Sequence, residues 1–239
     1  MTTHGFDVYS TVFCYDAAMK IIPIVITFLW AFFTPFWALA TEPGQTPDVI
    51  QLPEPDDAAA PTQDFKLPAV PDSMEPKDKA LYKAAFDGNL AEVQLLVSKG
   101  AAVNSADIEK RTPLIMAAYG GHTAVVEFLY DQGADINHRD GEGMTALMHA
   151  SKRSFNQTAA FLLSNGAEVN VQSRKRRVTA LMIAAVADNV GLMSLLLEHG
   201  ADPNLMDIFG RTAMFLAEKK GNSAAVEMLL NPPKPVGAS

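Results

Sequence analysis

Five histidines, one cysteine and a run of four cations are the side chains in this sequence with the chemistry to act on a ligand. Cys14 is the sole thiol, and the leader around it carries no Lys or Arg to activate it. His138 and His149 stand eleven positions apart with no third donor placed near them. A zinc site needs three or four ligands, so no metal centre is expected. His122 and His199 each adjoin a glycine and read as structural. Paired acids such as Asp56-Asp57 lie in proline-rich sequence, where no pocket can tune a carboxyl for proton transfer. There is no Gly-rich phosphate loop and no Gly-x-Ser-x-Gly elbow. Neither an enzymatic reaction nor a cofactor is expected.

The cations are more informative. Arg174-Lys175-Arg176-Arg177 is an unbroken basic run in a 239-residue chain with 19 Lys and Arg, 27 Asp and Glu, and a net charge of −8. The negative total argues against a general nucleic-acid coat, which needs a basic footprint. A basic run inside an acidic chain suits an acidic partner instead, which it would steer and orient. The bland alternative is a solvated loop. Docking of the chain's own acidic segment and contact with anionic headgroups are further options, the last weak without an apolar wedge.

Three unlike segments carry these residues. Residues 21–40 form an uncharged run of twenty after Lys20, closing in Ala38-Leu39-Ala40 before Thr41. A cation, an apolar stretch and a small-x-small end form the signal-peptide pattern, with cleavage expected between Ala40 and Thr41. The run is also long enough to span a bilayer, so an uncleaved anchor is the rival, and only a retained anchor would hold the chain in a membrane. Residues 1–18 lack Lys and Arg and contain Asp7 and Asp16. They fit a leader badly, and Met19 is the better start of the 1–40 segment. Export makes a periplasmic or secreted location the expectation, with inner-membrane anchoring as the alternative.

Residues 41–77 hold eight of the fifteen prolines and eight acids against Lys66 and Lys77. Proline at this density blocks helices, and excess charge extends the chain. The segment reads as a disordered acidic linker; a proline-rich ligand such as Pro53-Glu54-Pro55 is the functional alternative.

From residue 78 to 231 the sequence repeats, and 232–239 form a short tail. Gly100, Gly133, Gly166 and Gly200, each followed by Ala, are 33, 33 and 34 apart. Thr112, Thr145, Thr179 and Thr212 keep the same beat, as do Asn104, Asn137, Asn170 and Asn204. Alanine follows each Thr by five positions, at Ala117, Ala150, Ala184 and Ala217, and Ala84 extends the series backwards. Threonine suits a helix start, and Pro113 the first helical position. Gly121 and Gly133 suit helix ends. Leu95-Leu96, Phe128-Leu129, Phe161-Leu162-Leu163 and Leu195-Leu196-Leu197 should bury a second helix per unit. No unit buries its face alone, so stability should come from stacking.

Thr112-Pro113-Leu114, Ala117-Ala118, Gly121-His122 and Gly133-Ala134-Asp135-Ile136-Asn137 resemble the ankyrin-repeat family. The resemblance implies an all-α solenoid of about five helix-turn-helix units with finger-like turns, preceded by the signal segment and linker. It also implies a protein-protein interaction module, here in the guise of an exported bacterial ankyrin-repeat protein. The alternative is a secreted effector acting on a host or competitor cell. Two departures matter. The family's usual His after Thr-Pro-Leu is Ile115, Met148, Met182 or Phe215, so apolar packing should replace polar ladders between units. Lys79 stands where the first unit's capping Thr belongs.

The resemblance places the binding surface on the finger tips and on the two positions after the paired alanines. In this sequence that surface includes Tyr119, Lys152, Arg153, Arg174, Lys175, Arg176, Arg177, Ile208, Phe209, Arg211, Lys219 and Lys220. Nine of these are cations. The third finger is longer by one residue, since Asn170 to Thr179 is nine positions where the others span eight. It also lacks the glycine present at Gly143 and Gly210.

Overall fold

The threonine–alanine beat becomes pairs of short antiparallel helices in the computed structural model, which describes residues 74–233. The leader, the 21–40 run with its Ala38-x-Ala40 end, most of the linker and the last six residues lie outside the described residues. Each unit has an inner and an outer helix: α1 (Pro76–Asp87) and α2 (Leu90–Ser98), α3 (Pro113–Gly120) and α4 (Thr123–Asp131), α5 (Ala146–Lys152) and α6 (Asn156–Ser164), α7 (Ala180–Val186) and α8 (Val190–Glu198), α9 (Ala213–Lys220) and α10 (Ser223–Leu230). Inner helices pack on the next inner helix and outer on the next outer, and no strand occurs among the described residues. Four fingers, spanning 99–112, 132–145, 165–179 and 199–212, join one unit to the next.

Local chemistry sets the helix ends. Thr112, Thr145, Thr179 and Thr212 sit in extended backbone, and each hydroxyl accepts the N–H three residues on, at 3.4, 3.4, 3.2 and 3.3 Å. That satisfies one orphan donor per helix. Gly121 ends α3 in the left-handed region at φ 76°, and a Cβ there would meet the Phe155 ring at 2.6 Å. Ser154 and Asp188 hold the same left-handed position in the next two units. Between inner helices, Ala84, Ala117, Ala118, Ala150, Ala184 and Ala185 are buried, and their small size lets the backbones approach. Ser151 replaces an alanine and returns its hydroxyl to the Leu147 carbonyl at 2.7 Å.

Four features differ from the sequence expectation. The helix α1 begins at Pro76, inside the stretch assigned to the linker, because proline is well tolerated at the first helical position. Lys79 therefore caps nothing; it lies one turn inside α1. That added turn has a role: the buried Asp78 accepts the Ala102 N–H of the first finger at 2.8 Å. Leu95 is exposed rather than buried, because α2 belongs to a terminal unit with an outer helix on one side only.

The fourth difference is the largest. Polar ladders do run between units, and asparagine carries them. The Asn104 amide donates to the Gly133 carbonyl at 3.0 Å and accepts from Asp135 N–H at 2.9 Å. Asn137 does the same with Gly166 and Glu168, and Asn170 with Gly200 and Asp202. Asn204, in the last finger, turns to Asp202 of its own unit. Met148 and Met182 fill the core at 1% exposure, as the sequence suggests.

Candidate functional site

Each finger closes on one polar side chain. Asp107 accepts the Glu109 and Arg111 N–H groups on one oxygen, both at 2.8 Å, and the Tyr82 hydroxyl at 2.6 Å on the other. Tyr82 occupies the first unit's version of the position where the family usually has His, so a phenol makes the link there. Burial, then the bond to Asp107, pushes the Tyr82 hydroxyl far above its ordinary range, so it stays a donor. Asp207 accepts from Phe209 and Arg211 N–H, and its other oxygen takes the Arg211 guanidinium at 2.8 Å.

Asp140 is the third case. It accepts the Glu142 and Met144 N–H groups and faces His149 Nε2 at 2.8 Å. Burial alone would raise its carboxyl, but the His149 hydrogen bond and charge, with the two N–H donors, outweigh that and hold it below the usual carboxylate range. The folded value lies below the unfolded one, so the ionised carboxylate contributes stability above roughly pH 4, and that contribution is lost as pH falls through the folded value. Asp140→Asn should therefore cost about 1–3 kcal/mol at pH 7. Urea titrations at pH 7 and pH 3 check this: the gap to wild type should narrow at pH 3. A gap of constant size would remove the ionised carboxylate from the account.

The third finger has no such carboxylate. Ser173 stands in its place and accepts the Val178 N–H at 3.1 Å, with one residue more in the loop. Successive fingers are joined by single backbone bonds: Gly141 N–H to Glu109 O at 2.6 Å, Arg174 N–H to Glu142 O at 2.7 Å, and Ile208 N–H to Arg176 O at 3.1 Å. The added residue thus falls between the donor Arg174 and the acceptor Arg176. It displaces that acceptor by one position relative to Glu109 and Glu142. Arg177 takes the left-handed position at φ 54° that Gly143 and Gly210 hold in their own fingers.

Beneath this longer finger lies a groove of about 400 Å³. Met182, Ile183 and Val186 of α7 and Leu216 of α9 form its floor, with Met144 and Val178 from the fingers. Lys152, Lys175, Arg176 and Arg211 bring four cations to it, and Glu142 is its single carboxylate. Lys175 pairs with Glu142 at 3.3 Å, both side chains well exposed. Lys152 has no charged partner among the described residues.

A family model described as ankyrin repeats in three copies matches residues 81–173 and again 147–238, together well over half of the chain. The chain belongs to the ankyrin-repeat family. Ankyrin repeats are in general protein-protein interaction modules and are typically non-enzymatic scaffolds. The geometry of this ankyrin array agrees with a surface for contact: grooved, charged and apolar together.

Of the twelve residues mapped to the ankyrin binding surface, the groove gathers Lys152, Lys175, Arg176 and Arg211. Arg211 is a wall rather than a free charge, since Asp207 already holds its guanidinium. The other eight lie elsewhere. Arg174 donates to the Gly141 carbonyl at 3.3 Å, and Arg177 folds onto Gln172 at 3.1 Å. Arg153 stacks on the Tyr119 ring at 4.9 Å, and Tyr119 in turn stacks on Phe86. Ile208 and Phe209 are exposed at the fourth finger tip, with the Arg211 guanidinium 4.6 Å from the Phe209 ring centre. Lys219 and Lys220 are exposed at the end of α9, away from the groove.

Val178, Ile183 and Leu216 are groove residues that the sequence mapping omits. A signal for them exists. Met116, His149, Ile183 and Leu216 share the position before the paired alanines, and Arg111, Met144, Val178 and Arg211 share the position before each Thr. Ile183 and Leu216 of the first set and Met144, Val178 and Arg211 of the second line the groove, while His149 turns to Asp140 instead. The histidines serve structure: His122 bonds the Phe86 carbonyl at 2.9 Å, His138 the Lys110 carbonyl at 2.9 Å, and His199 the Leu195 carbonyl at 2.9 Å. Among the described residues no three potential metal ligands cluster.

Proposed function

We propose that this chain is an exported ankyrin-repeat module that holds an acidic protein partner in the groove between its third finger and the helices α5, α7 and α9. The observation that carries the reading is the pairing of Lys152, Lys175 and Arg176 with an apolar floor, in a chain of net charge −8. Such a surface steers an acidic partner by charge and retains it by apolar contact. Export rests on the 21–40 run and its Ala38-x-Ala40 end, and on nothing in the folded array. Fractionation of tagged protein separates a periplasmic module from a secreted effector and from a membrane-anchored chain. N-terminal sequencing should find the mature chain starting at Thr41.

Binding is tested with immobilised full chain and periplasmic extract at low and high salt. Lys152→Ser, Lys175→Ser and Arg176→Ser combined should leave the array folded, because the Arg176 backbone carbonyl that joins the third and fourth fingers is kept. Capture of the partner at low salt should fall by about tenfold or more, mainly through a slower on-rate, and the difference should shrink at high salt. If the triple variant captures the same proteins in the same amounts at low salt, the cations are a solvated surface and the reading is wrong.

A further inference from the structure

We infer that the groove takes one extended acidic segment of its partner with an apolar side chain as its anchor, and that Glu142 holds the carboxylate's place until the segment arrives. This rests on the proposal above that the groove is the partner site. Size argues for a segment. A stable contact between folded surfaces covers about 800 Å² on each partner, whereas a cleft of 400 Å³ is near the lower end for small, largely enclosed ligands. It has room for a side chain or two and for the backbone that carries them, not for a domain. The floor specifies the anchor: Ile183 and Val186 are half-buried apolar side chains on it, so an apolar side chain gains by covering them.

Charge specifies the flanks. Lys152 rises from the end of α5, and Lys175 and Arg176 descend from the third finger, so cations stand on two sides of the floor. Arg211 contributes no anion site, because the buried Asp207 oxygen already accepts from it at 2.8 Å. Glu142 reaches in from the second finger to Lys175 at 3.3 Å, with side chains 72% and 56% exposed for Lys175 and Glu142. An ion pair that exposed contributes little to stability and exchanges readily. An incoming carboxylate therefore takes Lys175 from Glu142 at small cost. Glu142 also lays a negative charge beside every acidic segment that binds, which weakens the complex and limits the site to segments with acids enough to compete.

The unusual consequence is a gain. Glu142→Gln removes the competing charge and keeps the backbone carbonyl that accepts from Arg174, so the finger register is unchanged. Random twelve-residue peptides displayed on phage are panned on the full chain, on Glu142→Gln, and on Lys152→Gln combined with Arg176→Gln. Wild type should enrich segments with one apolar residue flanked by Asp or Glu. The best such peptide, labelled and titrated by fluorescence anisotropy, should bind Glu142→Gln about two- to fivefold more tightly at low salt, with the gain lost at high salt. It should bind the double variant about tenfold more weakly. Val186→Ser should weaken it at every salt concentration.

Enrichment of basic or uncharged peptides, no enrichment at all, or an unchanged or weaker Glu142→Gln complex would each overturn the inference. Should extract capture still depend on Lys152, Lys175 and Arg176 while no peptide is enriched, the partner is a folded acidic surface: the segment is wrong and the groove stands. Where capture is also indifferent to those cations, both fail together.

Discussion

Asp107→Ala should destabilise the array by about 3–5 kcal/mol, the range for removing one partner of a buried charged network. Asp107 has a fully buried carboxylate that accepts four bonds. Alanine would leave the Glu109 N–H without its acceptor and the wholly buried Tyr82 hydroxyl without the oxygen 2.6 Å from it. Burying a donor with no acceptor costs far more than the net value of the bond it once made. Tyr82→Phe is the informative comparison. It removes donor and polarity together, so it should cost only about 1 kcal/mol. The double variant should be more stable than the sum of the singles implies, since the phenylalanine no longer needs the lost carboxylate. Because the contact joins the first unit to the second, hydrogen exchange in α1 should accelerate before exchange in α7 and α9. Urea unfolding of the four proteins measures the cycle; equal losses for both singles would place the weight on the finger backbone and not on the phenol.

Ala184→Phe should cost about 1–3 kcal/mol or more, by overpacking. Ala184 has no exposed surface and sits on α7, which packs against α5 on one side and α9 on the other. A ring there has no path to solvent, so one inner helix must move. Ala124→Phe on the outer helix α4 is the control, since Ala124 is exposed and its substitution should stay within about 0.5 kcal/mol. Thermal melts of the two variants decide it. Equal melting temperatures would mean that the inner-helix contact is not where the repeat register puts it.

The fold was legible wherever a single residue type satisfies a local requirement. Threonine at a helix start, glycine at a left-handed end and alanine at a close helix contact each answer a geometric demand within a few residues, and they recur because the demand recurs. The start of α1 lies outside that beat, since Pro76 supplies a helix start that the repeat does not show. The asparagines are a second case. Their beat is plain, but Asn104, Asn137 and Asn170 bond to backbone groups 29 to 32 residues away, and a backbone partner leaves no trace in side-chain identity.

The site was half legible for a related reason. That charge collects on the third finger is visible in Arg174 to Arg177. Which of those side chains face the groove depends on where the added residue sits in the loop. Arg174 and Arg177 turn to Gly141 and Gln172, while Lys175 and Arg176 line the groove. Likewise Arg211 is the same cation in sequence whether solvated or neutralised, and only the buried Asp207 beside it settles the matter. The floor leaves no comparable trace: a half-buried Ile183 and a buried Leu216 are both simply apolar in sequence, and only the fold brings them to one groove.

The most direct test of a partner seated in this groove is site-specific photo-crosslinking in the full chain with its partner present. A benzophenone amino acid at Val186, on the groove floor, should yield a crosslinked partner band, and a carboxylate-rich competitor peptide should abolish it. The same group at Ala124, on the exposed side of α4, should yield none. A band from Ala124 with nothing from Val186 would contradict the account, placing the partner on the outer helices and leaving the groove without its assigned role.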